Sequence, residues 1–142
     1  MGKRRLAMCL PMAATAAALA TGALTAGGLM AAQRRAEPAP TPADVAAGRV
    51  AFAQCSVCHA TVAGKNGLGP SLAGVVGRPI AAAPGFAYSA ALKAHKGVWT
   101  REQIDAFIAA PQKVVPGTKM AYPGQPDAAK RAAITAYLST LK

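Results

Sequence analysis

Apolar positions fall into two regimes along this chain. Up to about residue 32 they run almost unbroken; beyond residue 44 they recur at helical spacing between stretches rich in Gly and Pro. Thr41-Pro42 opens the first periodic segment. Thr41 is placed to cap a helix, Pro42 suits its first position, and Asp44 lies three residues after the cap. Val45, Gly48 and Phe52 then share one face. A second helix is predicted from Ser89 to Lys96, capped by Ser89 and ended by Gly97. A third starts at Thr100 with Gln103 completing a capping box; Ile104, Phe107 and Ile108 form its apolar face, and Pro111 stops it. The fourth runs from about Asp127 to Leu141, with Ile134, Tyr137, Leu138 and Leu141 as its stripe. No run alternates in strand fashion beyond two or three residues, and no segment repeats.

The pattern therefore predicts an all-α domain of about four short helices. It also contains a conflict. Residues 60–88 and 111–126 are rich in Gly and Pro and offer little regular structure. Loops longer than roughly 12–15 residues count against a compact domain, and four short helices bury a thin core. Both difficulties disappear if a large apolar group fills the centre and the loops wrap it.

Composition adds an appendage and a charge. Met1-Gly-Lys-Arg-Arg5 is a basic start, and Leu6 to Ala32 carries no charge, so residues 1–32 read as an export signal. Small residues follow the pattern of a cleavage site at Ala20, Ala26 and Ala32. The stretch is nearly long enough to span a bilayer, so an uncleaved N-terminal membrane anchor is the rival reading, although Pro11 and the Ala/Gly/Thr content make it weakly hydrophobic. Either way the domain is placed outside the cytoplasm, in the periplasm, free or tethered. Cys9 resembles a lipidation site only loosely and reads as a leader thiol. Residues 33–43 form a Pro/Ala linker, and residues 44–142 the folded domain. From residue 44 onward eleven Lys/Arg stand against four Asp/Glu, a net of +7. Such a field steers acidic partners and is screened by salt. Nucleic acid is discounted, because the basic residues are spread rather than striped and no binding motif accompanies them.

Cys55-Ser-Val-Cys58-His59 is the C-x-x-C-H pattern of haem c attachment. Two thiols with two residues between them on one turn span the vinyl groups of haem, and the next residue presents imidazole to the iron, so His59 is the expected proximal ligand. A thioredoxin-like dithiol needs a βαβ surround that is absent from the pattern. A zinc site needs about four ligands, and the domain offers two Cys and two His. A disulfide across two residues would leave the adjacent His unexplained. For the distal side, Met120 is the domain's one methionine and sits in Pro116-Gly-Thr-Lys-Met120, a Gly/Pro-shaped loop suited to presenting a thioether. The competing readings are a gap-filling core methionine, ligation by His95, or an open sixth position. His95, between Lys93 and Lys96, reads as a surface residue.

From about Asp44 to Lys142 the chain resembles class I cytochromes c, of the mitochondrial cytochrome c and bacterial cytochrome c2 branch. Beyond the attachment motif the likeness is carried by Gly69-Pro70, Gly77-Arg78, Gly85-Phe86-Ala-Tyr88-Ser89, Trp99, Pro111, Pro116-Gly-Thr-Lys-Met120 and Ala136-Tyr137-Leu138. The resemblance implies the cytochrome c fold, with loops wrapped around one haem attached at Cys55 and Cys58 and ligated by His59 and Met120. It implies that the Pro70 carbonyl holds the free ring N–H of His59, that Arg78, Tyr88 and Trp99 hold or shield a haem propionate, and that Thr118 shapes the Met120 loop. It places Gly48 and Phe52 against Tyr137 and Leu138 where the first and last helices cross. Three positions depart from the family: Phe107 replaces a usual Tyr, Leu92 a polar residue and Ser71 an Asn. A drier haem pocket is the expected consequence.

The expectation is a one-electron carrier and not an enzyme. Its partners would be a cytochrome bc1 complex and a terminal oxidase or photosynthetic reaction centre, met through a basic rim of Lys65, Lys93, Lys113 and Lys119. The rivals are a five-coordinate ligand-binding or peroxidatic haem protein and a fixed subunit of a larger oxidoreductase.

Overall fold

The computed structural model describes residues 38–142; the expected export segment (residues 1–32, with Cys9) and residues 33–37 of the expected linker lie outside the described residues. Helices α1 (Pro42–Ala51), α2 (Ala90–Ala94), α3 (Arg101–Ala109), α4 (Pro111–Val114) and α5 (Ala128–Leu138) are joined mostly by long loops, α3 and α4 by Ala110 alone. A 3-10 turn, Phe52–Gln54, extends α1. Among the described residues there is no strand, only one isolated antiparallel bridge between Pro79 and Val98. No described helix is long and apolar enough to cross a membrane.

The helix starts follow the capping residues. Thr41 Oγ1 accepts from the Asp44 amide at 3.2 Å, and Asp44 Oδ2 accepts from the Thr41 amide at 2.9 Å. The Thr41 hydroxyl, which donates to Asp44 Oδ2 at 2.7 Å, and after it the Thr41 amide hold the Asp44 carboxyl below its ordinary value. Ser89 accepts from Leu92, Thr100 from Gln103, and Asp127 from both Ala129 and Lys130. Each cap satisfies amides that have no partner inside the helix.

The helix ends differ from expectation at three places. α2 stops at Ala94, because His95 is already extended (ψ 101°) and Gly97 takes φ +128°. α5 stops at Leu138, leaving Leu141 on a loose final turn. Pro111 does more than end α3. Ala110, the residue before it, is driven out of the helical region (φ −159°, ψ 77°), as residues preceding proline are. Pro111 itself then occupies the first position of α4, where its missing N–H is no loss. The domain so has five α-helices where four were expected.

The core comprises Phe52, Val75, Leu92, Trp99, Ile104, Phe107, Val115, Ile134 and Leu138. α5 packs across α1 and beside α3. The α1–α5 crossing depends on Gly48, where a Cβ would strike the Ala133 carbonyl and the Tyr137 side chain. Phe52 meets Tyr137 there, ring centroids 5.3 Å apart. Gly48→Ala should force the helices apart and destabilise the domain by about 2–3 kcal/mol. At roughly 4–8 °C per kcal/mol for a domain of this size, a melting temperature lowered by about 10 °C or more is the expected reading. On the α3 side, Arg131 Nε donates to Asp105 Oδ1 at 3.0 Å while its Nη1 caps the Gln125 and Pro126 carbonyls.

Candidate functional site

The 3-10 turn after α1 delivers the chain into a further turn at the cysteines. The Cys55 carbonyl accepts from the amides of Cys58 (3.1 Å) and His59 (2.9 Å), so both sulfurs and the imidazole project from one turn. Both cysteines are of intermediate burial and form no disulfide. Burial pushes the Cys55 thiol above its ordinary value, and the neighbouring Cys58 adds to the shift.

His59 Nδ1 lies 2.8 Å from the Pro70 carbonyl oxygen. A carbonyl only accepts, so Nδ1 carries the proton and Nε2 keeps its lone pair. Burial pushes the imidazole below its ordinary value and so favours the neutral ring, against the smaller opposing effect of the Pro70 bond. Gly69 is buried against that ring: a Cβ there would collide with the His59 imidazole. The Gly69 amide also donates to the Cys58 carbonyl at 2.9 Å, which folds the 60s loop back onto the attachment turn.

Across the cavity, residues 77–80 pair with 97–99. The Gly77 amide donates to Trp99 O at 2.8 Å, and the Trp99 amide to Arg78 O at 2.9 Å, setting Arg78 beside Trp99. Arg78 Nη1 and Nη2 donate to the carbonyls of Ala73 and Ser71, whereas its Nε is buried with no hydrogen-bond partner. The Tyr88 hydroxyl accepts from the Ala83 amide at 3.2 Å. On the remaining side, Thr118 Oγ1 accepts from the Met120 amide at 3.4 Å.

These groups converge. Cys55, Cys58, His59, Pro70, Arg78, Tyr88, Trp99, Thr118 and Met120 all line one cavity of about 630 Å³. That size is usual for a cofactor site. Its remaining wall is largely apolar, with Leu72, Val75, Leu92, Phe107, Ile134 and Leu138 among the residues. The residues suit haem: paired thiols and an imidazole on one turn, a thioether in the same cavity, and a buried guanidinium N–H left over for an anionic group. Among the described residues no cluster of three His, Cys, Asp or Glu exists to hold a bare metal ion.

Of the lysines expected at a basic rim, Lys119 lines the cavity; Lys65, Lys93 and Lys113 are exposed but do not line it. His95 is half-buried at the end of α2, away from the cavity. Two exposed apolar side chains, Leu68 (82 %) and Val57 (77 %), also line it.

Two residues escaped the sequence reading. Gln112 Nε2 donates to the carbonyls of Thr118 (2.9 Å) and Met120 (3.3 Å), clamping the methionine loop from α4. Asn66 accepts from the Ser71 amide (3.0 Å) and donates to the Pro84 carbonyl (2.9 Å), stapling the long 60–88 loop to itself. The Ser71 hydroxyl, in turn, donates to the Val62 carbonyl at 2.7 Å. Gln112 and Asn66 each stand as an ordinary surface amide in sequence; only the presence of a side-chain amide within a Gly/Pro-rich loop hinted at a clamp.

A family model described as cytochrome c matches residues 45–142. The chain is 54% identical over 88 residues to cytochrome c2 of Rhodopila globiformis, covering 62% of this chain and 83% of that protein. It is 47% identical over 106 residues to a cytochrome c-type protein, cyt cy, of Rhodobacter capsulatus, covering 74% of this chain but 53% of that longer protein. The structure is similar to cytochrome cH of Methylobacterium extorquens, with a TM-score of 0.65, 47% identity, and coverage of 68% of this chain and 98% of that one.

Proposed function

Because the chain belongs to the cytochrome c family and so carries covalently bound haem c, we propose that it is an exported one-electron carrier whose iron is held between His59 and Met120. The observation that carries this reading is the convergence of Cys55, Cys58, His59 and Met120 on one apolar cavity.

Haem iron in that cavity supplies a one-electron ferrous/ferric couple. The chain's own residues set its conditions. Cys55 and Cys58 are the attachment points, and the Pro70 carbonyl orients the His59 ring so that Nε2 faces away from its hydrogen bond. Gln112 and Thr118 hold the backbone of the loop that presents the Met120 thioether. Arg78, through its unpartnered Nε, is suited to a propionate, since a buried carboxylate needs a charged donor. Leu92, Phe107, Ile134 and Leu138 keep water out of the interior, which limits rearrangement when the charge of the site changes.

Transient partners are read as docking at the cavity mouth, where exposed Leu68 and Val57 lie with Lys119. A small apolar contact within a positive field suits fast, weak encounters with acidic surfaces. By family likeness the donor is a cytochrome bc1 complex and the acceptor a terminal oxidase or reaction centre, with the periplasm as the setting.

The test is spectroscopic. The ferric holoprotein should show a sulfur-to-iron charge-transfer band, and its ferrous form should not bind carbon monoxide readily. Absence of the band together with rapid carbon monoxide binding would support the five-coordinate alternative. Phe107 offers a second measurement. It lines the same cavity and packs on Trp99, centroids 5.1 Å apart. Phe107→Tyr adds a hydroxyl to an apolar wall. One net hydrogen bond is worth about 0.5–1.5 kcal/mol, so the midpoint potential should move by roughly 20–60 mV. An unchanged potential would contradict the dry-pocket reading.

A further inference from the structure

Between Met120 and α5 the chain crosses the cavity mouth with few hydrogen bonds, Gly124 packing closely on the Ala109 backbone. The Met120 amide bonds Thr118 Oγ1, and the Gln125 amide bonds the Ile108 carbonyl at 2.8 Å. Residues 121–124 lie between these anchors. Among the described residues they make one hydrogen bond, from the Tyr122 hydroxyl to Gln54 Oε1 at 3.3 Å. Gln54 immediately precedes Cys55, and both Gln54 and Tyr122 line the cavity. The Gln54 amide is turned to accept: its Nε2 donates to the Ala51 carbonyl at 3.4 Å, which leaves Oε1 for the phenol. The two ends of this contact therefore flank the attachment turn on one side and the methionine loop on the other.

We propose that the Tyr122 hydroxyl and the Gln54 amide form a strap across the cavity mouth that holds the Met120 loop closed, which makes Tyr122 a positioning residue for the distal side of the haem. The effect on iron ligation rests on the reading of Met120 as an axial ligand. A phenyl ring alone would cover the same area; the hydroxyl is what ties the loop down. Tyr122→Phe therefore isolates the strap from the packing of the ring.

The experiment uses the ferric holoprotein with imidazole as the incoming ligand, in Tyr122→Phe, Gln54→Leu, Gln54→Glu and the Phe/Leu double variant. Imidazole enters as Met120 leaves, so its binding rate reads loop opening. Amide hydrogen exchange at Met120 and Gln125 reads the same opening without reference to the iron. Losing one net hydrogen bond should raise both rates about fivefold in Tyr122→Phe and in Gln54→Leu. The double variant should go no further than either single one, and Gln54→Glu, which keeps an acceptor oxygen, should stay at the parent rate. Unchanged exchange in both single variants, or multiplied effects in the double variant, would overturn the strap. Exchange that rises fivefold while imidazole binding stays constant would support the strap and refute Met120 as the displaced ligand.

Discussion

Met120→His should lower the midpoint potential by on the order of 200 mV while leaving the protein low-spin, a fraction of the roughly 0.8 V over which axial ligands set haem potentials. A thioether is a soft, weak donor that favours ferrous iron, whereas imidazole donates more strongly and favours ferric iron. At about 59 mV per tenfold change for one electron, the shift corresponds to about 4–5 kcal/mol of relative ferric stabilisation. The loop should tolerate the change because its backbone has anchors besides the side chain at that position. Gln112 grips the carbonyls of residues 118 and 120, and Thr118 accepts from the amide of residue 120. The sulfur-to-iron band should vanish in the variant. Potentiometric titration showing the parent potential, or a band that survives, would remove Met120 from the iron.

Removing the attachment points should have the other large effect, on folding. In a Cys55→Ser, Cys58→Ser chain prepared without haem, the central cavity of about 630 Å³ must be left open or collapse. Each Å³ of cavity left in a packed core costs about 24 cal/mol, so leaving even part of this volume unfilled costs several kcal/mol. Whole-domain stability is typically about 5–15 kcal/mol. The remaining core is small, and residues 60–88 have no helix of their own to retain. We expect low helicity by circular dichroism and no cooperative thermal transition. A sharp transition in the haem-free double variant would mean that the wall residues pack on themselves and that haem is dispensable to the fold.

How far the chain could be read from its letters depended on the range of the interaction. Helix starts were legible because a cap is a contract between residues two or three apart: Thr41, Ser89, Thr100 and Asp127 each accept where the pattern placed them. Helix ends were less so. Pro111 has opposite meanings for the helix before it and the helix after it, and the sequence pattern shows only the first, so α4 is not legible in it. The attachment turn was legible because its chemistry demands a local spacing. Met120 was reached by elimination, and it shares a cavity with the others. Gln112, Asn66 and the Gln54–Tyr122 pair were not legible. Their partners lie on other segments, or across a loop whose course is set only when the whole domain is assembled. A surface amide carries no mark of which carbonyl it will meet. Pro70 and Arg78 were placed by family likeness; each lines the cavity, and the unpartnered Arg78 Nε became apparent only once Ala73 and Ser71 had claimed the other two nitrogens.

The crossing at Gly48 also sets an order of events during biosynthesis. Its two helices are the earliest and the latest of the domain to leave the ribosome, and Ala133 and Tyr137 must arrive before α1 has a surface to bury against. Closing so long a loop carries an entropic cost that local turns cannot offset in advance, so such long-range pairing slows folding. Cys55 and Cys58 are therefore synthesised ahead of the element that finishes the core around them. Until that element is made, the two thiols lie on an unclosed chain.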